Sequence, residues 1–257
     1  MTKQEFARAI ATNVNGEVRE VEKANGVIMT GIIAGSGSVR PTIYIDDMYA
    51  DGLSIDDASA KIADIANRQA PDIDPDDFSN WDMMRPLLRA RLYNMATRAD
   101  ISRPAPAPFN DLIIIPYVEL GQNMAFKVTA DILNQWNVTA DEVLDIAEDN
   151  AKGDAKLQSM AEILREMGLP ILPEDDGFMW VVSNTSRVCG AYGVIALMDE
   201  LKARFKDGFT VLPSSIHEVI IAPIADESDM TNMVQEVNDS EVDMVDQLSN
   251  HAYIIAA

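Results

Sequence analysis

The residues most able to do chemistry lie together in one string, LPSSIHEVIIAP, at positions 212–223. Two hydroxyls, an imidazole and a carboxylate occur there within five residues, on Ser214, Ser215, His217 and Glu218. A hydrolase uses such groups as a nucleophile and its base. In an extended strand, Ser215 and His217 point the same way but lie about 7 Å apart, beyond hydrogen-bond reach. We therefore interpret the string first as a hairpin turn between two strands, with ligand binding or catalysis as the alternative.

The single cysteine is a second candidate for chemistry. Cys189 precedes Gly190 at the predicted start of a helix, a position at which thiols in general can become reactive. The chain has only two histidines, so a Cys–His pair would have to use His217 or His251. The alternative is a buried structural cysteine. No intramolecular disulfide can form, which favours a reducing compartment.

Metal binding has little support in the sequence. Asp72, Asp74 and Asp76 alternate as at the start of a calcium loop. The sixth position of that loop is Asp77 instead of Gly, and the twelfth is Met83 instead of Glu. We interpret the segment as a solvated turn that leads into a helix. The sequence therefore predicts no metal ion and no cofactor.

One stretch, residues 82–98, is locally basic. It falls within a helix predicted over Pro75–Ala99 from apolar residues at helical spacing, among them Met84, Leu88 and Leu92. On that helix Arg85 and Arg89 would share a face and form a small anion site. The alternative is that both arginines pair with the abundant carboxylates.

The charge of the chain disfavours direct binding to nucleic acid. Acids outnumber Lys and Arg by 42 to 20, a net charge of −22, and residues 218–257 carry nine acids and no Lys or Arg. A phosphate backbone requires clustered basic residues. The acidic surface serves solubility, attracts a basic partner or imitates a phosphate backbone. No apolar run approaches the ~20 residues of a membrane span, and the N-terminus is not a signal peptide.

The element pattern predicts an α+β fold with mixed or antiparallel sheets. Strand signals at 26–34, 42–48, 112–120 and 209–223 alternate with helical patterns, including 139–151, 155–167, 190–206 and 241–248. The proline-rich segment Arg103–Phe109 is the clearest linker. It divides the chain into an N-terminal subdomain, residues 1–102, and a C-terminal subdomain, residues 110–257.

Five strings of the chain occur in the order of a known bacterial family. They are NDLIIIPYVEL, WNVTADEVLDIAEDN, SRVCGAYGVIALMDEL, FTVLPSSIHEVIIAP and MVQEVNDSEVDMVDQLSNHAY. Over most of its length the chain resembles an uncharacterised family, a domain of unknown function common in gut Firmicutes and often near mobile elements. It is also distantly similar to the YtpQ-like proteins. The resemblance implies a cytoplasmic bacterial protein and brings no catalytic residues with it.

Taken together, these features favour a soluble binding or accessory protein that acts through another protein, without catalytic residues. Two alternatives remain open. One is an acidic nucleic-acid mimic that inhibits a host defence nuclease. The other is a hydrolase-like enzyme that uses the LPSSIHE segment and Cys189. The sequence leaves the oligomeric state open.

Overall fold

The computed structural model describes residues 1–35, 40–68, 74–121, 124–170 and 178–257. Helices and antiparallel strand pairs in these ranges confirm the predicted α+β fold. The α-helices of the described ranges are α1 (Lys3–Asn13), α2 (Asp46–Ala50), α3 (Ile55–Arg68), α4 (Trp81–Met84), α5 (Ala130–Trp136), α6 (Ala140–Asp154), α7 (Met160–Glu166), α8 (Gly193–Ala196), α9 (Met198–Arg204) and α10 (Glu227–Ser240).

The N-terminal sheet has the order β1-β2-β3. Its strands are β1 (Glu17–Glu22), β2 (Ile28–Ile33) and β3 (Thr42–Tyr44). Helices α1 and α3 contact this sheet and each other, and their apolar faces bury Phe6, Ile10 and Ile62 against Ile32 and Ile43. This packing closes a small core of its own and leaves the turn after β1 to border the site described below.

The central sheet is built around a long strand. Its strands are β4 (Leu88–Asn94), β5 (Arg103–Pro104), β6 (Leu112–Gly121) and β7 (Met124–Lys127). β6 pairs with β4 along one edge and with β5 and β7 along the other. Leu88, Ala90 and Leu92 are buried, and α6 packs against β4 and β6. Because successive side chains alternate between faces, Arg89 and Arg91 lie on the opposite face.

Strand β4 corrects the helix predicted over Pro75–Ala99. Within that range the structure has a 3₁₀ turn, α4, a second 3₁₀ turn at Arg85–Leu87 and then β4. Leu88 and Leu92 are four residues apart, and a spacing of four keeps two side chains on one face of a strand as well as of a helix. The alternation of apolar and basic residues between them was the signal that distinguishes the two.

The C-terminal sheet has the order β12-β10-β11-β9-β8. Strands β10 and β11 pair antiparallel, which confirms the hairpin predicted for residues 212–223. Helix α10 contacts β10, and a small cluster that includes Leu212 and Val234 is buried there. The strands are β8 (Ala155–Ser159), β9 (Trp180–Asn184), β10 (Phe209–Leu212), β11 (Val219–Pro223) and β12 (Tyr253–Ile255). The helix predicted over 155–167 is wrong in its first part, since β8 precedes α7.

The predicted linker is packed into the protein. In the Arg103–Phe109 segment, β5 pairs with β6, and Ala105 and Phe109 are buried. The central sheet takes β4 from before this segment and β6 and β7 from after it. A division of the chain there would pass through that sheet. No helix in the described ranges is long and apolar enough to cross a bilayer.

Candidate functional site

A cavity of about 790 Å³ lies on the charged face of the central sheet. Arg89, Arg91 and Tyr93 of β4 contribute to its wall, as do residues from the end of β1 and from two loops of the C-terminal sheet. Those two loops bring Cys189 and His217 to the same wall. The cavity therefore gathers residues that are far apart in the sequence.

Cys189 stands on a tight turn between β9 and α8. The side-chain amide of Asn184 closes this turn, because its Nδ2 donates to the Val188 carbonyl at 2.9 Å and its Oδ1 accepts from the Val188 N–H at 3.1 Å. The backbone of Cys189 has φ of 52°, a left-handed conformation that costs free energy for any residue with a side chain. Such strain at a non-glycine residue occurs often at functional positions.

The next residue allows the turn to lie against β9. A Cβ atom built on Gly190 would lie 2.5 Å from the backbone nitrogen of Asn184 and 2.7 Å from Oγ of Ser183. Glycine is thus the residue type that fits the close approach of these two backbones. The Gly190 N–H and the Ser183 hydroxyl both donate to the His217 carbonyl, at 3.0 and 2.9 Å. The turn that carries Cys189 is therefore tied directly to the segment that carries His217.

The His217 ring lies between Cys189 and Asp246. Its Nδ1 accepts the backbone N–H of Cys189 at 3.1 Å, and its Nε2 lies 3.5 Å from Oδ2 of Asp246. In this geometry the neutral ring keeps its proton on Nε2, toward the carboxylate, and its Nδ1 lone pair accepts the backbone N–H of the cysteine. The ring therefore lies between the backbone of the cysteine and a carboxylate, in the wall of the cavity.

The surroundings of His217 favour its protonated form. The Asp246 carboxylate, 3.5 Å from Nε2, and then the neighbouring Cys189 side chain raise the pKa of His217 to about 10, whereas burial acts in the opposite direction. The backbone N–H of Cys189 requires an unprotonated Nδ1 and so favours the neutral ring. Protonation of Nδ1 therefore requires that this backbone hydrogen bond be broken, and the Asp246 carboxylate stabilises the ring once it is charged.

Asp246 is held by backbone contacts from two directions. Its carbonyl accepts the Ile216 N–H at 2.8 Å, and Ser215 forms a β-bridge with Gln247. From the N-terminal part of the chain, Nδ2 of Asn25 donates to the carbonyls of Met244 and Gln247, each at 2.7 Å. Residues 241–248, predicted as a helix, instead form turns that fit between these partners.

A buried arginine faces the cavity on the other side. Arg91 donates from Nε and Nη2 to Oε1 of Glu119, at 3.1 and 2.8 Å, and its guanidinium lies 4.4 Å from the ring centroid of Tyr117. Burial opposes its charge, but the negative charges available to Cys189, Tyr93 and Glu119 raise the pKa of Arg91 above its ordinary value. A permanent cation and the single cysteine therefore line the same cavity.

A negative charge on Cys189 also affects the pKa values of the two tyrosines next to Arg91. Burial first, and then the charges of Tyr117 and Cys189, raise the pKa of Tyr93. Burial is also the largest cause of the raised pKa of Tyr117, to which Cys189 adds. Both phenols therefore keep their protons at neutral pH and present hydroxyl groups to the cavity.

The structure separates the four residues of the LPSSIHE string. Of the four, His217 lines the cavity. Ser215 accepts the His217 N–H on its Oγ at 3.1 Å, the Ser214 carbonyl accepts the Leu248 N–H at 3.2 Å, and the Glu218 side chain is exposed. The serines thus shape the loop, and His217 shares the cavity wall with Cys189.

The two arginines predicted as an anion site do not share a helix face. Arg85 is exposed in the 3₁₀ turn, whereas Arg89 belongs to β4 and lines the cavity. The Arg89 guanidinium donates from Nη1 to the carbonyls of Pro86 and Leu88, and its Nε lies 3.9 Å from Oδ2 of Asp154. The basis for pairing Arg85 with Arg89 was the predicted helix, which β4 replaces.

The second histidine does not meet Cys189. His251 faces Ser249 and Asp111 through Nδ1, at 3.2 and 3.9 Å, and its ring packs against Tyr253. Asp111 also accepts the Tyr253 hydroxyl at 2.7 Å. This group joins β12 to the start of β6 and gives His251 a structural role.

Asp246, Arg91, Tyr93 and Tyr117 were not identified from the sequence. The alternation in Arg89-Ala-Arg91-Leu-Tyr93 is the local signal that would have placed three side chains on one face of a strand. No local signal marks Asp246, because its role depends on backbone contacts with residues from both ends of the chain.

The structure predicts a dependence of stability on pH. A pKa of His217 raised in the folded state stabilises the fold fully below about pH 6.5, its unfolded value, and this contribution is lost as pH rises toward about 10. The ring is 37% exposed, so we expect a loss of about 1–2 kcal/mol after allowance for solvent screening. Chemical unfolding of wild type and His217→Gln at several pH values measures it. Parallel pH curves for the two proteins would contradict the prediction.

The described residues do not contain a metal site. Among them, no three or more His, Cys, Asp or Glu side chains are grouped so that they could hold a metal ion. Asp72, one of the residues compared with a calcium loop, lies outside the described ranges.

Comparison with known proteins places the chain in a family. Neither the curated proteins nor the solved structures give a match to this chain. The sequence pattern of one protein family, described as a family of unknown function (DUF5688), matches residues 1–255. The chain therefore belongs to the DUF5688 family of unknown function.

Proposed function

We propose that the cavity is the active site of a cysteine-dependent acyl hydrolase or acyl transferase. Cys189 is the nucleophile, His217 is its base and acid, and Asp246 orients His217. The observation that supports this proposal is the place of His217: its ring lies between the backbone N–H of Cys189, which donates to Nδ1, and the carboxylate of Asp246, in the wall of a cavity large enough for a small molecule. A purely structural cysteine needs neither the histidine nor the strained backbone.

The proposed reaction conserves atoms and needs no redox partner. Nδ1 of His217 gives up its hydrogen bond from the Cys189 backbone N–H and takes the proton of the Cys189 thiol, and the sulfur attacks the acyl carbon of the substrate. A carbon–sulfur bond forms, the bond to the leaving group breaks, and His217 returns the proton to that group. Water, deprotonated by His217, or another acceptor then cleaves the thioester and restores the thiol. The chain has a single cysteine, so the cycle involves no disulfide within it.

Arg91 is the natural electrostatic partner of this step. It is a buried cation within reach of the sulfur, held in place by Glu119. A positive charge there stabilises the negative charge that develops on the sulfur and then on the acyl oxygen. The hydroxyls of Tyr93 and Tyr117 are available as donors on the same side.

The proposal predicts an acyl-enzyme on Cys189. We expect p-nitrophenyl acetate to release about one equivalent of p-nitrophenol in a rapid first phase, with the acetyl group on Cys189. Intact-mass measurement, followed by peptide mapping, locates the adduct. Because the chain has one cysteine, a thiol adduct has only one possible position.

Cys189→Ala provides the control, since alanine leaves a smaller side chain on the same turn. We expect it to show neither the rapid phase nor the adduct. A wild-type protein that stays unmodified while its unfolded form reacts would overturn the proposal, and so would an adduct that Cys189→Ala retains.

The other functional hypotheses from the sequence stay predictions. They are the role in binding another protein, imitation of nucleic acid against a nuclease, the cytoplasmic location, and the bacterial source with its likeness to YtpQ-like proteins. No observation in the cavity bears on them.

A further inference from the structure

Basic residues outnumber acidic ones in the wall of the cavity, although acidic residues outnumber basic ones in the chain as a whole. Acids outnumber Lys and Arg by about two to one in the sequence, but basic side chains are in the majority here. The basic residues of the wall are Lys23, Arg89, Arg91, Lys127 and His217, and the acidic ones are Glu22, Glu119 and Asp246. In a strongly acidic protein, a local excess of cations indicates a site for a negative ligand.

The acidic residues of the wall already have partners. Glu119 is paired with Arg91 at 2.8 Å, and Asp246 faces His217. Glu22 lies 3.5 Å from Nη1 of Arg98. Among the residues that the structure describes, the ion pairs of these carboxylates are therefore with Arg91, His217 and Arg98, not with the two lysines.

Lys23 and Lys127 differ from the other basic residues of the wall, whose ion pairs with carboxylates are described above. The Lys23 ammonium lies 4.1 Å from the ring centroid of Tyr44, and the Lys127 ammonium donates to the Arg98 carbonyl at 2.7 Å. Each ammonium has three donors, so each retains hydrogen-bonding capacity. Within the described ranges neither lysine forms an ion pair with a carboxylate.

The two lysines also repel each other. Burial and the charge of Lys23 lower the pKa of Lys127, while Asp100 and Glu22 act in the opposite direction. An anion between the two ammonium groups would relieve this repulsion. Their positions, one at the end of β1 and the other at the end of β7, border the same cavity as Cys189.

We infer that Lys23 and Lys127 form a subsite for an anionic group, and that the substrate of Cys189 is an acyl compound that carries a carboxylate or a phosphate. This inference rests on the proposed function, because it names the class of substrate for the same site. Lys23 and Lys127 bind and steer the anion, and Cys189 attacks the acyl carbon.

The single cysteine allows a direct test with two alkylating reagents. Iodoacetate and iodoacetamide differ in charge and react with the same sulfur. We compare the rate with iodoacetate, which is an anion, to the rate with iodoacetamide, which is neutral. In the double variant Lys23→Gln, Lys127→Gln, we expect the ratio of the iodoacetate rate to the iodoacetamide rate at Cys189 to fall about tenfold at low ionic strength. Intact-mass measurement gives both rates.

Two further variants define the outcomes. Lys61→Gln, Lys202→Gln removes the same charge from exposed positions outside the cavity wall and should keep the wild-type ratio. Lys23→Arg, Lys127→Arg should also keep it. A ratio unchanged by Lys23→Gln, Lys127→Gln would overturn the inference. If wild-type Cys189 reacts with neither reagent faster than a free thiol does, the proposed function itself fails, whatever the ratio.

Discussion

Replacing His217 with glutamine is expected to slow the alkylation of Cys189 by iodoacetamide about 100-fold near pH 7. His217 adjoins the Cys189 backbone and is stabilised by Asp246 in its protonated form, the form that holds the proton of the thiol and stabilises a thiolate. Glutamine keeps a polar side chain of comparable length but cannot take the proton of the thiol. Loss of a positioned base or acid costs on the order of 10²–10⁴-fold in rate. The second-order rate constant, measured by intact mass, gives the effect.

The chain offers a matched control for this variant. His251 is the other histidine, and it contacts Ser249, Asp111 and Tyr253 instead of the cavity. His251→Gln should therefore alkylate at the wild-type rate. Asp246→Asn should slow the reaction about tenfold, because it loses the orientation and charge but keeps the base. Equal rates for His217→Gln and wild type would contradict the role of His217.

Replacing Gly190 with alanine is expected to destabilise the protein by about 3 kcal/mol. The added Cβ would lie 2.5 Å from the backbone nitrogen of Asn184 and 2.8 Å from the backbone carbon of Ser183. Backbone atoms cannot rotate away as the end of a flexible side chain can. The turn would have to move from β9 and weaken the bond from the Gly190 N–H to the His217 carbonyl. Urea unfolding measures the loss.

Alanine at Gly153 provides a comparison, because there we expect it to raise the stability of the protein instead of lowering it. It lies within α6, and a Cβ built there has no other atom within 4 Å. Gly153→Ala should stabilise the protein by about 0.5–1 kcal/mol, since alanine loses less conformational entropy in a helix. If Gly190→Ala were as stable as wild type, the close approach between the cysteine turn and β9 would be wrong.

The sequence was most informative where one local pattern decided the structure. The hairpin at 212–223 followed from two apolar runs with a polar segment between them, and β10 and β11 pair as that pattern predicts. β4 was mistaken for a helix because Leu88 and Leu92 fit both periods. The alternation of apolar and basic residues within β4 distinguishes a strand from a helix, whereas the longer apolar repeat does not.

The site could be predicted only in part, because it depends on contacts between distant segments. Either histidine could have been the partner of Cys189, and the fold brings His217 to its backbone and leaves His251 in a structural group. Asp246 reaches His217 because Asn25 and Ile216 bond to its loop. Such pairings follow from how the three sheets pack, which no local spacing encodes.

The most direct test of the central claim is the rate at which iodoacetamide alkylates wild-type Cys189 near pH 7, compared with a free thiol such as N-acetylcysteine. Cys189 is 8% exposed, and a buried structural cysteine is inert. We expect Cys189 to react at least 10-fold faster than the free thiol, because His217 takes its proton and Arg91 stabilises the charge on the sulfur. A rate below that of the free thiol would rule out Cys189 as the nucleophile and make it a core residue.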